Sequence, residues 1–206
     1  MTLRLGYFPN MTHAQPPVAL SRGTFAEELG PNVKLDTKTF NAGPSVIEAL
    51  FAGAIDIAYI GPNPAITGYV QSQGKDLRVI AGATSGGALL VVRDGANITQ
   101  PADFANKKIA TPQLGNTQDV ALRTWLRYQG LDANDAGGDV NVAAVDNKTL
   151  VQLFQQEQLD GAWEPEPWPT ILESEGLATT FVDEASLWPD GLFATTNLLV
   201  NTTYAD

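Results

Sequence analysis

The chain has 206 residues, 44% of them hydrophobic, enough to build the core of one large domain or two small ones. Acids outnumber bases 23 to 12 for a net charge of -11, a balance that excludes nucleic acid and an anionic membrane surface as partners because nothing offsets their charge. There is no cysteine and one histidine, His13, so disulfides, thiolate nucleophiles and multi-His or Cys-ligated metal sites are excluded; no metal and no cofactor is expected.

Strand and helix patterns alternate along the chain. "LRLGYF" reads as a strand and "AQPPVALSRGTFAEEL" as one helix. "VKLDTKTF" is followed by the helix "PSVIEALFAGA", whose Val46, Ile47, Leu50 and Phe51 fall on one face. "IDIAYIG" leads into "NPAITGYVQSQG"; "LRVIAGAT" and "ALLVVR" then stand with only Ser85, Gly86 and Gly87 between them. Strands rich in Val, Ile and Ala, spaced by helices, predict βαβ units and a largely parallel sheet. After Arg93 the polar, Gly- and Pro-punctuated "DGANITQPADFANKK" marks a crossing between two lobes. A second series follows: "KIATP", the helix "NTQDVALRTWLRYQG", the strand "VNVAAVD", the helix "KTLVQLFQQEQ" and the short strand "DGAW". The last element, "ATTNLLVN", reads as a buried strand with no room for a partner helix. No apolar run approaches the ~20 residues of a membrane span. The chain opens directly on a strand, so any signal segment lies outside it.

Several strand-to-helix corners share one chemistry: small residues with Asn, Ser, Thr or Gln, and almost no charge. Asn10, Thr12 and His13 follow the first strand; Asn41, Gly43 and Ser45 the second; Pro62 and Asn63 the third; Gly115, Asn116, Thr117 and Gln118 follow "KIAT". In open α/β sheets ligands bind beyond the carboxyl ends of the strands. A helix start presents N–H groups without intrahelical partners and a partial positive charge, which suits an anion. Ordinary N-caps and Gly-Pro turns explain any one corner better than a site does; recurrence in both halves shifts the balance toward a site. Lys and Arg lie away from these corners, so an anion would be held by neutral donors. There is neither G-x-x-x-x-G-K-[ST] nor G-x-G-x-x-G, which argues against a nucleotide. His13 has no visible catalytic partner and reads as a solvated or capping residue in contact with ligand.

In "GAWEPEPWPTIL", Trp163 at a strand's carboxyl end is placed to wall an apolar ligand tail, and Glu164 or Glu166 to receive a cationic group. The alternative is that Trp163 and Trp168 are core or cover residues, with the prolines fixing a helix start.

The stretches "GYFPNMTHA", "FNAGPSVIEALFAGAIDIAYIGPNPAI", "RVIAGATSGGALLVVR", "KKIATPQLGNTQDVALRTWLRYQGL" and "GAWEPEPW" resemble, nearly throughout and in order, the nitrate/sulfonate/taurine class of ABC-importer substrate-binding proteins, nearest its aliphatic sulfonate branch. The resemblance implies an α/β type II periplasmic-binding-protein fold. In that fold two α/β lobes are joined by two crossover strands around a ligand cleft. It places lobe one at 1–91 and 196–206 and lobe two at 92–195. It adds Ser85 and Gly86 to the ligand-binding set. Family members run on past "LLVNTTYAD" with helices that complete lobe one, so the C-terminal part of that lobe is expected to be truncated here. The family often has a neutral residue where Glu164 stands, and a carboxylate there favours a zwitterion such as an aminosulfonate. The implied function is capture of a small oxyanion, an aliphatic sulfonate or taurine-like compound, for delivery to an ABC permease and its ATPase subunits. The implied location is periplasmic or extracytoplasmic, with membrane contact only through the permease or an N-terminal lipid anchor not present in this chain. The alternative is an enzyme on the same fold, desulfinase-like or pyrimidine-precursor synthase-like. Against it stand the lack of cysteine and the single histidine.

Overall fold

Short apolar strands and amphipathic helices alternate in the computed structural model, which describes residues 1–205. In chain order they are β1 (Thr2–Tyr7), α1 (Gln15–Arg22), α2 (Thr24–Leu29), β2 (Lys34–Thr39), α3 (Gly43–Phe51), β3 (Ile57–Ile60), α4 (Pro62–Gln71) and β4 (Leu77–Ser85). Then come β5 (Ala88–Arg93), β6 (Lys108–Thr111), α5 (Thr117–Tyr128), β7 (Asn141–Ala144), α6 (Asn147–Gln155) and β8 (Gly161–Pro165). The chain ends with α7 (Trp168–Ser174), β9 (Ala178–Asp183), β10 (Ala194–Asn201) and α8 (Thr202–Ala205). The helix expected over residues 14–29 is two helices, because Gly23 takes a left-handed φ of 75° that ends α1. The sequence reading missed β9, "ATTFVD", whose Thr, Phe and Val favour a strand but whose side chains follow no clean alternation of buried and exposed.

The chain divides into two units, Met1–Ser85 with the segment from Ala194 onward, and Gly86–Phe193. The sequence puts these divisions at 91/92 and 195/196. The structure puts the first earlier because β5 pairs only with β8 and β9 and so belongs entirely to unit two.

Unit one holds a sheet of order β2-β1-β3-β10-β4. β1 runs parallel to β2 and β3, while β10 runs antiparallel to both β3 and β4. Unit two holds a sheet of order β7-β6-β8-β5-β9, with β6 parallel to β7 and β8, and β5 antiparallel to β8 and β9. Both sheets are therefore mixed, each with one reversed strand. That refines the largely parallel sheet the sequence predicts.

In unit one, Val46, Ile47 and Leu50 of α3 pack on Ile55, Ile60, Leu77 and Leu199. Phe51, expected on that face, is 41% exposed. At roughly 100° per residue it lies beyond the edge of the stripe. Unit two covers both faces of its sheet. Trp163, Leu90 and Ile109 meet Leu122, Trp125 and Leu126 of α5 on one side. Ala110 and Ala162 meet Leu150, Phe154 and Leu172 on the other.

The contact between α3 and α4 fixes how closely the exits of β2 and β3 approach each other. A Cβ on Gly43 would lie 2.2 Å from Pro64 Cγ, so only glycine fits there. Gly43→Ala should lower unfolding free energy in a denaturant titration by about 1–3 kcal/mol through overpacking. Gly82→Ala, where an added Cβ meets nothing within 4 Å, should leave it within about 0.5 kcal/mol.

Candidate functional site

Parallel β1, β2 and β3 bring their carboxyl ends to one edge of the first sheet, and reversed β10 brings its first residues to the same edge. The exit of β1 folds back as a short 3-10 turn, Met11–His13. There the Thr12 hydroxyl donates to Asn10 Oδ1 at 2.9 Å, and Thr196 Oγ1 donates to the Thr12 carbonyl at 2.8 Å. Asn10, Thr12 and His13 are all buried.

The His13 ring packs against Phe8, tilted by 34° with ring centroids 4.1 Å apart, and its Nδ1 accepts the Phe8 N–H at 3.4 Å. Burial lowers its pKa to about 3, so the ring is neutral with its proton on Nε2. His13 is therefore a directed N–H donor and has no charge to give. The reading of His13 as solvated does not hold.

At the exit of β2, α3 starts from Ala42, which has no side-chain oxygen to cap it; half-buried Asn41 and Ser45 and buried Gly43 stand around that start. At the exit of β3, α4 starts from Gly61. Pro62 and Pro64 have no N–H, leaving Asn63 the one donor among the first three helical residues. The Asn63 side chain is half-buried and makes no hydrogen bond among the described residues. Ser85, at the end of β4, reaches this edge through its pairing with Ala194.

In unit two the edge formed by the carboxyl ends of β6, β7 and β8 also receives the start of β5, since Ala88 pairs with Pro165; Gly86 lies just ahead of it. Gly115 turns the chain with a left-handed φ of 76°. Asn116 Oδ1 then caps α5 by accepting the Asp119 N–H at 2.8 Å, and Asp119 Oδ2 accepts the Gly115 N–H at 2.9 Å. Arg123 Nε donates to Asp119 at 3.0 Å and its Nη1 to Asp135 at 2.6 Å, so this one nearby cation is occupied by two carboxylates. Asn116 Nδ2 donates to Gln118 Oε1 at 3.1 Å. The Thr117 hydroxyl and Gln118 Nε2 have no partner among the described residues.

Two carboxyl groups lie deep at this edge. Glu164 is fully buried, and its Oε1 has no hydrogen-bond partner among the described residues. The indole N–H of Trp168 orients the Asn147 amide, because an indole only donates. The amide oxygen faces Trp168 Nε1 at 2.9 Å, and the amide nitrogen faces Glu164 Oε2 at 3.2 Å. Burial pushes the Glu164 carboxyl well above the usual range. Glu184, beyond β9, accepts the Trp163 indole N–H at 2.8 Å. Burial raises its pKa to about 7, against the lowering effect of hydrogen bonds from Trp163 and Trp188.

One expectation is corrected. Trp163 does not wall a ligand tail: it is fully buried in the unit two core, 6.3 Å from Trp125, with its N–H taken by Glu184. Strand alternation sends Trp163 into the α5 side and Glu164 to the other. Glu166 accepts from the Thr170 N–H and hydroxyl in the first turn of α7.

Asp119, Asn147, Thr196 and Glu184 were not anticipated. The Asn116-x-x-Asp119 spacing is a capping signal, and Asn147 heads a helix after a strand like the corners that were recognised.

Two mixed α/β sheets, each closed by one reversed strand, with polar corners at the carboxyl edges, are the architecture of type II periplasmic binding proteins. The alkanesulfonate-binding protein SsuA of Xanthomonas axonopodis pv. citri, solved with MOPS bound, shares this fold with a TM-score of 0.80 at 24% identity, over 99% of this chain and 66% of that one. The periplasmic nitrate-binding protein NrtA of Synechocystis PCC 6803 shares it with a TM-score of 0.79 at 20% identity, over 100% of this chain and 56% of that one. In sequence, the taurine-binding periplasmic protein of Escherichia coli K12 is 28% identical over 178 residues, which are 86% of this chain and 53% of that protein. The chain belongs to the NMT1-like family, which matches residues 1–205. It spans about half the length of the relatives it matches in sequence.

The raised pKa of Glu184 has a stability consequence. Its folded value, about 7, lies above the ordinary 4.5, so its contribution is fully present below pH 4.5 and is lost as pH rises through 7. Glu184→Gln should therefore gain stability relative to the parent between pH 4.5 and 7.5, by up to about 3 kcal/mol, in unfolding curves taken across that range.

Proposed function

We propose that this chain is the ligand-capturing part of an ABC-importer substrate-binding protein that takes a small oxyanion, foremost an aliphatic sulfonate or a taurine-like compound. It works outside the cytoplasm and passes its ligand to a permease with its ATPase subunits. The observation that carries this reading is the stock of neutral donors at the carboxyl edges of both sheets. The Asn63 side chain, the Thr117 hydroxyl, Gln118 Nε2 and His13 Nε2 have no partner among the described residues, and no lysine stands in these corners. A tetrahedral or trigonal oxyanion offers several acceptor oxygens to such directed donors without needing a counter-cation. Asn10, Thr12, Asn41, Gly43, Ser45, Pro62, Ser85, Gly86, Gly115, Asn116 and Glu164 complete the proposed set. Membership of the NMT1-like family and the taurine-binding relative point the same way. Binding without turnover is supported by the absence of cysteine and by a lone histidine that is neutral.

Thermal shift against alkanesulfonates, taurine, nitrate, bicarbonate and thiamine precursors tests the reading. A true ligand at 100 times its Kd raises stability by about 2.7 kcal/mol. Asn63→Ala and Thr117→Ala each delete a side chain with no internal hydrogen bond, so the fold should stand. Each should weaken that ligand by about 2 kcal/mol in calorimetry, the scale of a hydrogen bond to a charged group. No stabilisation by any oxyanion, or variants that bind like the parent, would defeat the proposal.

A further inference from the structure

Three side chains of unit two form a hydrogen-bond chain whose direction is fixed by chemistry. The Trp168 indole can only donate, which turns the Asn147 amide oxygen toward it at 2.9 Å. The amide nitrogen then donates to Glu164 Oε2 at 3.2 Å. In a neutral acid the oxygen that accepts is the carbonyl oxygen, so the proton belongs on Oε1. That oxygen is fully buried and has no partner among the described residues.

We propose that Glu164 acts as a neutral acid at the carboxyl edge of unit two, and that its Oε1 hydroxyl, last in the one-way chain Trp168 to Asn147 to Glu164, donates a hydrogen bond to an oxygen of the bound oxyanion. This reverses the role its charge suggests. The side chain reads an acceptor on the ligand and does not receive an ammonium group. The proposal rests on the oxyanion reading of the function.

The surroundings favour the acid. β5 presents Leu89 opposite Glu164, and β6 presents Ala110 opposite Ala162 on the same face. At the head of α6, Asp146 accepts the Lys148 N–H and both side chains are exposed. On α7, Glu166 is committed to Thr170. No charged group enters the titration of Glu164, and burial alone raises its pKa. Each bond of such a chain polarises the next, so the last O–H is a stronger donor than an isolated one. A glutamine in the same place keeps a carbonyl for Asn147 and an N–H for the ligand, and loses only the ability to ionise.

The test combines a ligand-free readout with calorimetry. Glu184 is itself partly protonated at pH 7, so difference infrared spectra are taken in the Glu184→Gln background, where a protonated-carboxyl band should be present and should vanish when Glu164→Gln is added. Ethanesulfonate and taurine share a sulfonate and differ in the ammonium group. Glu164→Gln should bind both within about threefold of the parent. Trp168→Phe, which keeps the ring and deletes the first donor, should weaken both several-fold. Parent affinity should fall as pH rises through the folded pKa of Glu164, and the Gln variant should stay flat. If the anions bind but the band is absent, or if Glu164→Gln selectively loses taurine, the proposal alone is overturned and Glu164 is a carboxylate that receives a cation. If the band is present but no sulfonate, nitrate or bicarbonate binds, the functional reading falls and the donor role falls with it.

Discussion

Backbone hydrogen bonds from β10 to β3 on one side and to β4 on the other hold a strand from late in the chain inside the first sheet. Bringing it back closes a loop that contains all of unit two, and the entropy of that closure must be met by contacts made at β10 itself. Three side-chain bonds add to the ladder. Thr196 Oγ1 donates to the Thr12 carbonyl, Asn201 Nδ2 to Leu50, and Thr202 Oγ1 to Lys75. Each contributes about 0.5–1.5 kcal/mol. The first also fixes the turn that carries His13, so the strand that completes the sheet shapes the edge where the donors gather. β5 plays the matching part in unit two, where its register with β8 sets Leu89 against Glu164.

The helix starts at the two edges meet their need for hydrogen-bond acceptors differently. α5 and α6 are capped from within, by Asn116 and Asp146. α3 and α4 begin at Ala42 and Gly61, which have no side-chain acceptor, and prolines thin out the donors in their first turns. A cap in the chain competes with an external anion for the same N–H groups. The starts of α3 and α4 in unit one therefore lack the N-cap side chain that α5 and α6 of unit two have. The net charge of -11 does not oppose an external anion, because repulsion between exposed charges is screened beyond ~8 Å at physiological ionic strength and hydrogen bonds act at contact.

Local pattern made most of the architecture legible. The spacing of Val46, Ile47 and Leu50 predicted the buried face of α3, and the corners after β1, β2, β3 and β6 fall where strand-then-helix reading placed them. What failed depended on information that local pattern does not carry. Gly23 breaks a continuous helical pattern through one positive φ. The reversal of β5 and β10 is a matter of pairing partners, invisible in their own residues. Trp163 and Glu164 are adjacent, so alternation had to send one into each face, but the sequence gives no sign of which face holds the larger apolar core. Arg123 looked like a distant basic residue; the helical turn from Asp119 brings it to the corner, already neutralised.

An ionised carboxylate with no exposed surface and a single amide donor would pay a desolvation penalty of several kcal/mol with almost nothing to offset it. Taking up a proton removes most of that penalty and creates a smaller one, a buried hydroxyl without an acceptor, worth about 1–3 kcal/mol. The ligand-free fold thus carries an unmet demand for an acceptor at one defined atom. A ligand oxygen placed there relieves it, while an ammonium group would first have to drive off the proton and then sit between an indole, an amide and an aliphatic wall. The proposed selection at Glu164 rests on that asymmetry: such an atom favours whatever brings an oxygen and penalises whatever requires the charge.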